Sequence, residues 1–451
     1  MALLPSLLRQ LENSRLSREE RAVLLCQASK ELEEKGNYED ARAIMGRLWQ
    51  RIGERPRLAG LKPETAAEVL LRAGILTSLI GSRNQLTDAQ ETAKNLISES
   101  ASVFESINFA KKVAEAQTEL ALCYWREGSY DEARIILRGV LARPTLDNEL
   151  KAKAILRSGI VERSALCYAA ALHILMDNAP LFEKITNHTI RGGYHNELGL
   201  VLKNLAAEEK RTDYIDRAFV EYEAASFHFE EAKHKPYRAN VEHNLGFLYF
   251  KAGKFEKAHE HLDRARRIVT SLKDKATLAQ YEETRARVFL AEGRYAEAEK
   301  AARWAACTFE KCGRQSLLAE ALVTHGIALA RLGCYAQSLS AFLRAIEISE
   351  QTGTVNRAEE AALTMVRELG RHLSAEEGTV VSGDALGQSR LLYEHNLIKQ
   401  ALVSAEGSIT HAARLLGITH QSLGYMLKTR HKDLITSRTP AKPRRKSKYR
   451  A

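Results

Sequence analysis

Proline is scarce, with 8 in a chain of 451 residues, while helix formers (Ala, Leu, Glu, Lys, Arg) run throughout. That argues against a collagen-like chain and an all-β sandwich. At 45% apolar and 27% charged residues the composition is ordinary for a globular protein, which argues against disorder. Cysteine is sparing too. Cys26, Cys123, Cys167, Cys307, Cys312 and Cys334 include no C-x-x-C pair, so neither a zinc site nor a disulfide framework is signalled, and a reducing cytoplasm is expected. Cys307 and Cys312, in an Ala-rich segment, are expected to pack in a core. Long apolar runs are also missing. The longest charge-free one, Ser164 to Met176, is shorter than the roughly 18 residues of a membrane span. Met1 to Arg9 lacks the basic start and apolar core of an export signal. A soluble, cytoplasmic chain with no membrane partner is expected.

Motifs of catalysis are absent as well. The chain contains no G-x-x-x-x-G-K-[ST] phosphate loop, no G-x-S-x-G nucleophile turn and no H-E-x-x-H. His259-Glu260-His261 lacks the i,i+4 histidine pair of a helical zinc site. The expectation is a non-enzyme with no catalytic residues, no metal and no other cofactor.

Positive charge, in contrast, is abundant in one place. The net charge is +10, and ten of the 67 Lys/Arg but only one of the 57 Asp/Glu, Asp433, lie between Lys428 and Ala451. The preceding 427 residues are therefore near neutral, at +1. A neutral body with a concentrated basic end suits a protein that meets a polyanion, nucleic acid first.

A loop of the form Gly-x-aromatic-x-x-Ala recurs at Gly36/Tyr38/Ala41, Gly128/Tyr130/Ala133, Gly253/Phe255/Ala258 and Gly293/Tyr295/Ala298, and at Gly333/Tyr335 with Ser338 in the Ala place. The last three are spaced by 40, and a second small residue follows seven on, as Ala258/Ala265, Ala298/Ala305 and Ser338/Ala345; Ala218/Ala225 keeps the register without the glycine. Two small residues a heptad apart share a helix face and admit a close neighbour, while Gly ends the preceding helix. Each hairpin must bury its apolar face on the next.

These residues resemble the tetratricopeptide repeat. Its first-helix pattern is present as Leu245, Gly246 and Tyr249 and its second-helix pattern as Ala258, Leu262 and Ala265; the period of about 40 exceeds the family's usual 34, as longer helices would require. The resemblance is strong from Gly193 to Arg371, fair from Lys112 to Leu141, and weak in 49–111 and 145–192, where Ala93 and a few other small residues keep the period and hairpins of irregular length are expected. It implies a superhelix whose concave face, lined by the first helix of each hairpin, holds a peptide or partner protein. Setting Gly246 and Gly326 in register puts Asn240, His243, Lys251, Glu283, Arg287 and Arg331 on that face, joined by Asn196 and Lys203 through Gly199.

After Leu369 the repeat signal stops, and 372–389, with three glycines, reads as a linker. From Arg390 a helical face returns in Leu391, Leu392, Ile398, Ala401, Leu402 and Ala405, and Gly407 breaks it. Ser408 is a good N-cap for a short helix through Ala412, Ala413 and Leu416, Gly417 supplies a sharp turn, and Thr419 caps a third helix carrying Leu423 and Leu427. Two short helices joined at a Gly turn make a helix-turn-helix. The stretch Leu397 to Lys428 resembles the Fis-type helix-turn-helix at the C-terminus of bacterial enhancer-binding activators, although Gly424 and Tyr425 stand where that family tends to be basic. The ATPase module of those activators is absent.

The resemblance implies that the third helix enters the major groove of duplex DNA. Thr419, His420, Gln421, Ser422, Tyr425 and Lys428 are then its groove-facing candidates; Gln421 suits adenine and His420 or Lys428 suits guanine or phosphate. Arg430 and Lys432 follow, and the Pro-broken basic tail, with Arg444, Arg445 and Lys446, reads as a disordered arm along phosphates. The expected fold is all-α: a tetratricopeptide-type helical-hairpin superhelix (1–371, clearest in 193–371), a linker (372–389), a three-helix helix-turn-helix domain (390–434) and a basic tail (435–451). The expected function is a bacterial DNA-binding transcriptional regulator, with a homodimer left open. The alternative is a protein-interaction scaffold whose helix-turn-helix is vestigial or binds protein.

Overall fold

The computed structural model describes residues 3–11, 16–144, 146–376, 395, 398–399, 401–405, 407–416 and 420–437, which are helical with no strand among them. The chain divides into two compact units, Met1–Arg294 and Tyr295–Ala451. The first holds α1 (Leu3–Leu11), α2 (Arg18–Glu34), α3 (Tyr38–Met45), α4 (Pro63–Asn84), α5 (Ala89–Ser106), α6 (Ala110–Glu127), α7 (Tyr130–Leu141), α8 (Asn148–Ser164), α9 (Tyr168–Asp177), α10 (Ala179–Lys184), α11 (His188–Glu209), α12 (Asp213–Glu231), α13 (Lys235–Lys251), α14 (Phe255–Ser271) and α15 (Lys275–Ala291). The second holds α16 (Tyr295–Lys311), α17 (Gln315–Arg331), α18 (Tyr335–Gln351) and α19 (Val355–Glu376), then α20 (Ile409–Leu415), α21 (His420–Thr429) and a 3-10 segment, Lys432–Ser437.

The 40-residue period has a simple origin. Each helix from α13 to α18 is 17 residues long, and three-residue loops join them. The second residue of each loop takes a positive φ, as Gly253 (72°), Lys273 (56°), Gly293 (77°), Gly313 (67°) and Gly333 (77°) do. This is the left-handed cap that ends a helix and turns the chain back. Within a hairpin the helices close to backbone distance: a Cβ added to Gly246 would lie 2.7 Å from Leu262 Cγ and 3.2 Å from the Ala258 carbonyl oxygen. Ala258 and Ala265 are accordingly fully buried.

Where the repeat signal is weak the hairpins persist with unequal helices. α8 has 17 residues and α9 only 10. Their loop carries a further copy of the turn, with Leu166 at φ 62° in the glycine place, then Tyr168 and the fully buried Ala171. α19 runs on to Glu376, into the segment expected as linker, because helix formers continue as far as the residues before Gly378.

One expectation needs correction, and one helix stands apart. Cys307 and Cys312 are exposed, not core, because α16 buries the face formed by Ala298, Ala301, Ala302, Ala305, Ala306 and Phe309. And α4 is, by length and composition alone, long and apolar enough to cross a membrane; a search for charge-free runs passes it over because Glu68 and Arg72 interrupt it. Fourteen of its residues are buried by the fold. Arg72 is 1% exposed and is held by Glu33 at 2.9 Å, Glu68 at 3.1 Å and Glu115 at 3.2 Å, carboxylates that offset its desolvation.

The first unit also curves until its ends meet. A Cβ on Gly36, in the α2–α3 loop, would lie 2.8 Å from His234 Cε1 and from Pro236 at the start of α13. The Tyr38 and Tyr237 side chains act on each other across this seam, and Arg83 Nη2 donates to Asp274 Oδ2 at 2.7 Å. The stacked hairpins therefore enclose an interior.

Candidate nucleic-acid interface

At the C-terminal end, Ser408 Oγ accepts from the His411 backbone N–H at 3.4 Å and starts α20. One turn in, Ala412 and Ala413 are buried; small side chains here let α20 sit close to α21. Ile398, Ala401, Leu402, Ala405, Leu423, Leu427 and Leu434 complete a core of their own. At about 25 cal/mol per Å² of apolar surface this core is what fixes the two short helices, since helices this short are marginal in isolation. The 3-10 segment is tied back on the same body: His395 Nε2 and Asp433 Oδ2 are 2.5 Å apart, and the His395 and His431 rings meet edge-on at 5.6 Å. The hydrogen bond from His395 holds the Asp433 carboxyl below the usual range. The only acid of the basic end is thus occupied by a partner within the domain.

With Leu423 and Leu427 inward, α21 turns the opposite face to solvent. His420, Gln421, Ser422, Tyr425 and Lys428 are all exposed, Tyr425 by 63%, and Gln421, Tyr425 and Lys428 fall at i, i+4 and i+7 on one stripe. Arg430 and Lys432 are exposed just beyond it. Gly424 has open space around it, nothing lying within 4 Å of an added Cβ. Thr419, Arg444, Arg445 and Lys446 lie outside the described residues, as do Gly417 and Ile418. A helix of about 10–12 Å diameter matches a major groove about 12 Å wide. The exposed set offers an amide, an imidazole, hydroxyls and cations to base edges and phosphates.

The residues expected on the concave repeat face are largely engaged by neighbouring side chains. In the first unit Asn196 Oδ1 accepts from Asn244 at 3.4 Å, and Asn240 Oδ1 accepts from the Tyr281 hydroxyl at 2.6 Å. His243 stacks on Tyr281, centroids 4.3 Å apart, with Nε2 2.9 Å from Thr284 Oγ1. Burial first, then Lys203 and Arg287, push its pKa down to about 3. Arg287 Nε donates to the buried Glu283 at 2.7 Å. Lys203 lies over Phe247 at 5.8 Å, and Lys251, exposed, over the same ring at 5.5 Å. In the second unit Arg331 is engaged by Glu368 at 2.7 Å. Lys153 and Arg157, on α8, fall in 145–192, where the glycine-aromatic signal that sets the register fails, and Arg126, on α6, lies outside the register set by Gly199, Gly246 and Gly326.

Comparison with protein families gives two matches: the tetratricopeptide repeat over residues 237–306 and the bacterial regulatory protein, Fis family, over residues 392–429. The chain carries both elements. No curated protein matches it. Among solved structures it is similar to a monomeric mutant of IFIT1 with Gppp-AAAA (18% identity, 81% of this chain and 75% of that one, TM-score 0.51). It is also similar to a signal transduction ATPase with numerous domains and a tetratricopeptide repeat sensor from Pyrococcus horikoshii (12%, 83% and 67%, TM-score 0.49). A third is aspartyl phosphate phosphatase F from Bacillus subtilis (13%, 77% and 88%, TM-score 0.48). At these identities the likeness concerns the helical-repeat fold.

Proposed function

We propose that the protein is a cytoplasmic, non-enzymatic transcriptional regulator of bacterial type, which reads duplex DNA with α21 and receives a peptide or protein in its repeat array. The observation that carries the reading is the exposed Gln421–Tyr425–Lys428 stripe on a capped helix-turn-helix, beside the only concentrated positive charge in the chain. The basic segment from Lys428 onward supplies the sequence-independent attraction to phosphates and sets register. The stripe then meets base edges, where Gln421 forms paired hydrogen bonds with adenine. The array supplies the input: occupancy that favours one state of the chain changes how the DNA-binding end is presented. Fluorescence anisotropy with a random duplex across a salt series tests this. The full chain should bind with a steep salt dependence, and a chain ending at Leu369 should not bind; equal binding by both would overturn the reading in favour of a scaffold.

A further inference from the structure

Among the described residues, the interior of the first unit gathers cations that no carboxylate reaches at ion-pair distance. Arg126, on α6, spends Nη1 on the Ser78 hydroxyl at 2.7 Å and lies 5.7 Å from the Trp125 ring. Arg157, on α8, has its Nε wholly buried without a hydrogen-bond partner. The two guanidiniums lie close enough to act on each other, and Tyr237 acts on Arg126 as well. Tyr38, from the other side of the closed seam, feels Tyr237, Glu33 and Arg126. Arg126 on α6 is thus within electrostatic reach of Arg157 on α8 and of Tyr38 and Tyr237 on the seam between α3 and α13. Lys153 lies one turn before Arg157 and acts on Glu33. Farther along, Arg157 and Arg163 both act on the buried Glu197, which Arg163 takes as its ion-pair partner; Lys203 follows, its pKa lowered by burial and by Arg163.

The other cations of this interior show what a settled charge looks like here. Arg72 has three carboxylates, Lys30 has Glu115, and Lys112 has Glu68 and Glu115. Among the described residues, by contrast, Arg126, Lys153, Arg157 and Lys203 have no carboxylate at ion-pair distance, and Glu119 acts on Arg126 only from beyond that distance. Neighbouring guanidiniums held partly away from water repel unless an anion joins them, and their planar forks suit an anion that accepts two parallel hydrogen bonds.

We propose that this interior binds a small anion bearing two or more closely spaced negative charges, phosphate or clustered carboxylate, with Arg126 and Arg157 as its main contacts and Lys153, one turn before Arg157, as a flanking charge. The inference rests on the reading of the array as the receiving part of the protein, and gives that part a ligand chemistry. The closed seam at Gly36, Tyr38 and Tyr237 limits the occupant to something small or extended. The site lies on α6 and α8, before the hairpins in which the repeat signal is clearest.

Calorimetric titration of the full chain with pyrophosphate, citrate and a tri-glutamate peptide, at one fixed salt concentration, tests this. The wild type should bind at least one probe. Preference for pyrophosphate assigns the phosphate source, and preference for citrate or the peptide assigns the carboxylate one. In Arg126→Gln/Arg157→Gln the affinity should fall at least tenfold, while Arg267→Gln, an exposed arginine on α14, should stay within twofold. Should the double variant lose its helical circular dichroism, Arg157→Gln alone, which gives up no Nε partner, should still weaken binding at least threefold. Failure of all three probes to bind the wild type, or equal binding by the Gln variants, with the anion then on the basic C-terminal segment, would overturn the proposal. Random-duplex binding measured in parallel separates the two readings: its loss in the wild type refutes the DNA-binding function, whereas its retention with no anion binding refutes only this site.

Discussion

Lowering the pH from 7 to 5 should destabilise the first unit by about 2 kcal/mol through a single side chain, His234. His234 is the N-cap of α13, and its Nδ1 accepts the Tyr237 backbone N–H at 3.2 Å. Its ring stacks on Tyr237 at 3.9 Å and is 2% exposed. Only the unprotonated nitrogen can accept that bond, and a cation at a helix N-terminus meets the positive end of the helix dipole. Burial pushes the pKa down to about 4 from 6.5. Because the folded value is the lower one, the unfolded chain takes up the proton first. The stabilisation is present above pH 6.5 and is lost as the pH falls from there toward 4. At pH 5 an unfolded-state pKa near 6.5 against a folded one near 4 gives RT ln 30, about 2 kcal/mol, against about 0.2 at pH 7. His234→Asn keeps a capping oxygen but does not titrate. Urea unfolding followed by circular dichroism, for both proteins at both pH values, isolates the term as a double difference. The wild type should lose about 2 kcal/mol more than the variant between pH 7 and 5; an identical pH dependence would refute the reasoning.

Leu166→Gly should stabilise the protein by about 1 kcal/mol, because a branched side chain there occupies the left-handed region at φ 62°; an unchanged or lower urea midpoint would contradict it. Gly246→Ala should cost about 1–3 kcal/mol, since the new Cβ meets Leu262 and the Ala258 carbonyl within 3.2 Å, and thermal melting reads it. Gly424→Ala should raise the stability of the DNA-binding end by about 1 kcal/mol, as the site is helical and open; amide exchange in α21 measures it. Removing Thr439 to Ala451 takes away six Lys/Arg and should reduce the slope of log affinity against log salt by at most about 5 while sparing sequence preference.

The legible parts of the sequence were those where one residue type solves one geometric problem. Glycines at left-handed caps and small residues at helix crossings gave the 40-residue period and the hairpins, and Ser408, Ala412, Leu423 and Leu427 gave the helix-turn-helix. The loop at Leu166 was missed because a residue other than glycine bears the positive φ. The exposure of Cys307 was missed because an Ala-rich helix hides which of its faces is inward. Register places the concave-face residues, but it says where a side chain starts and not whom it meets: Arg287 takes Glu283, His243 takes Tyr281 and Thr284, and Asn240 takes the Tyr281 hydroxyl. The unneutralised arginines on α6 and α8 became visible only once the chain had closed on itself, since Tyr38 and Tyr237 come together across nearly 200 positions by curvature, a property of the whole stack.

The claim that α21 reads DNA sequence is tested most directly by competition between a selected duplex and a random one at fixed salt, for the wild type, Gln421→Ala and Lys428→Ala. Gln421→Ala should weaken binding to the selected site by about 1–3 kcal/mol and leave random-duplex binding nearly unchanged, while Lys428→Ala should weaken both about equally. A specificity ratio untouched by Gln421→Ala would contradict the account.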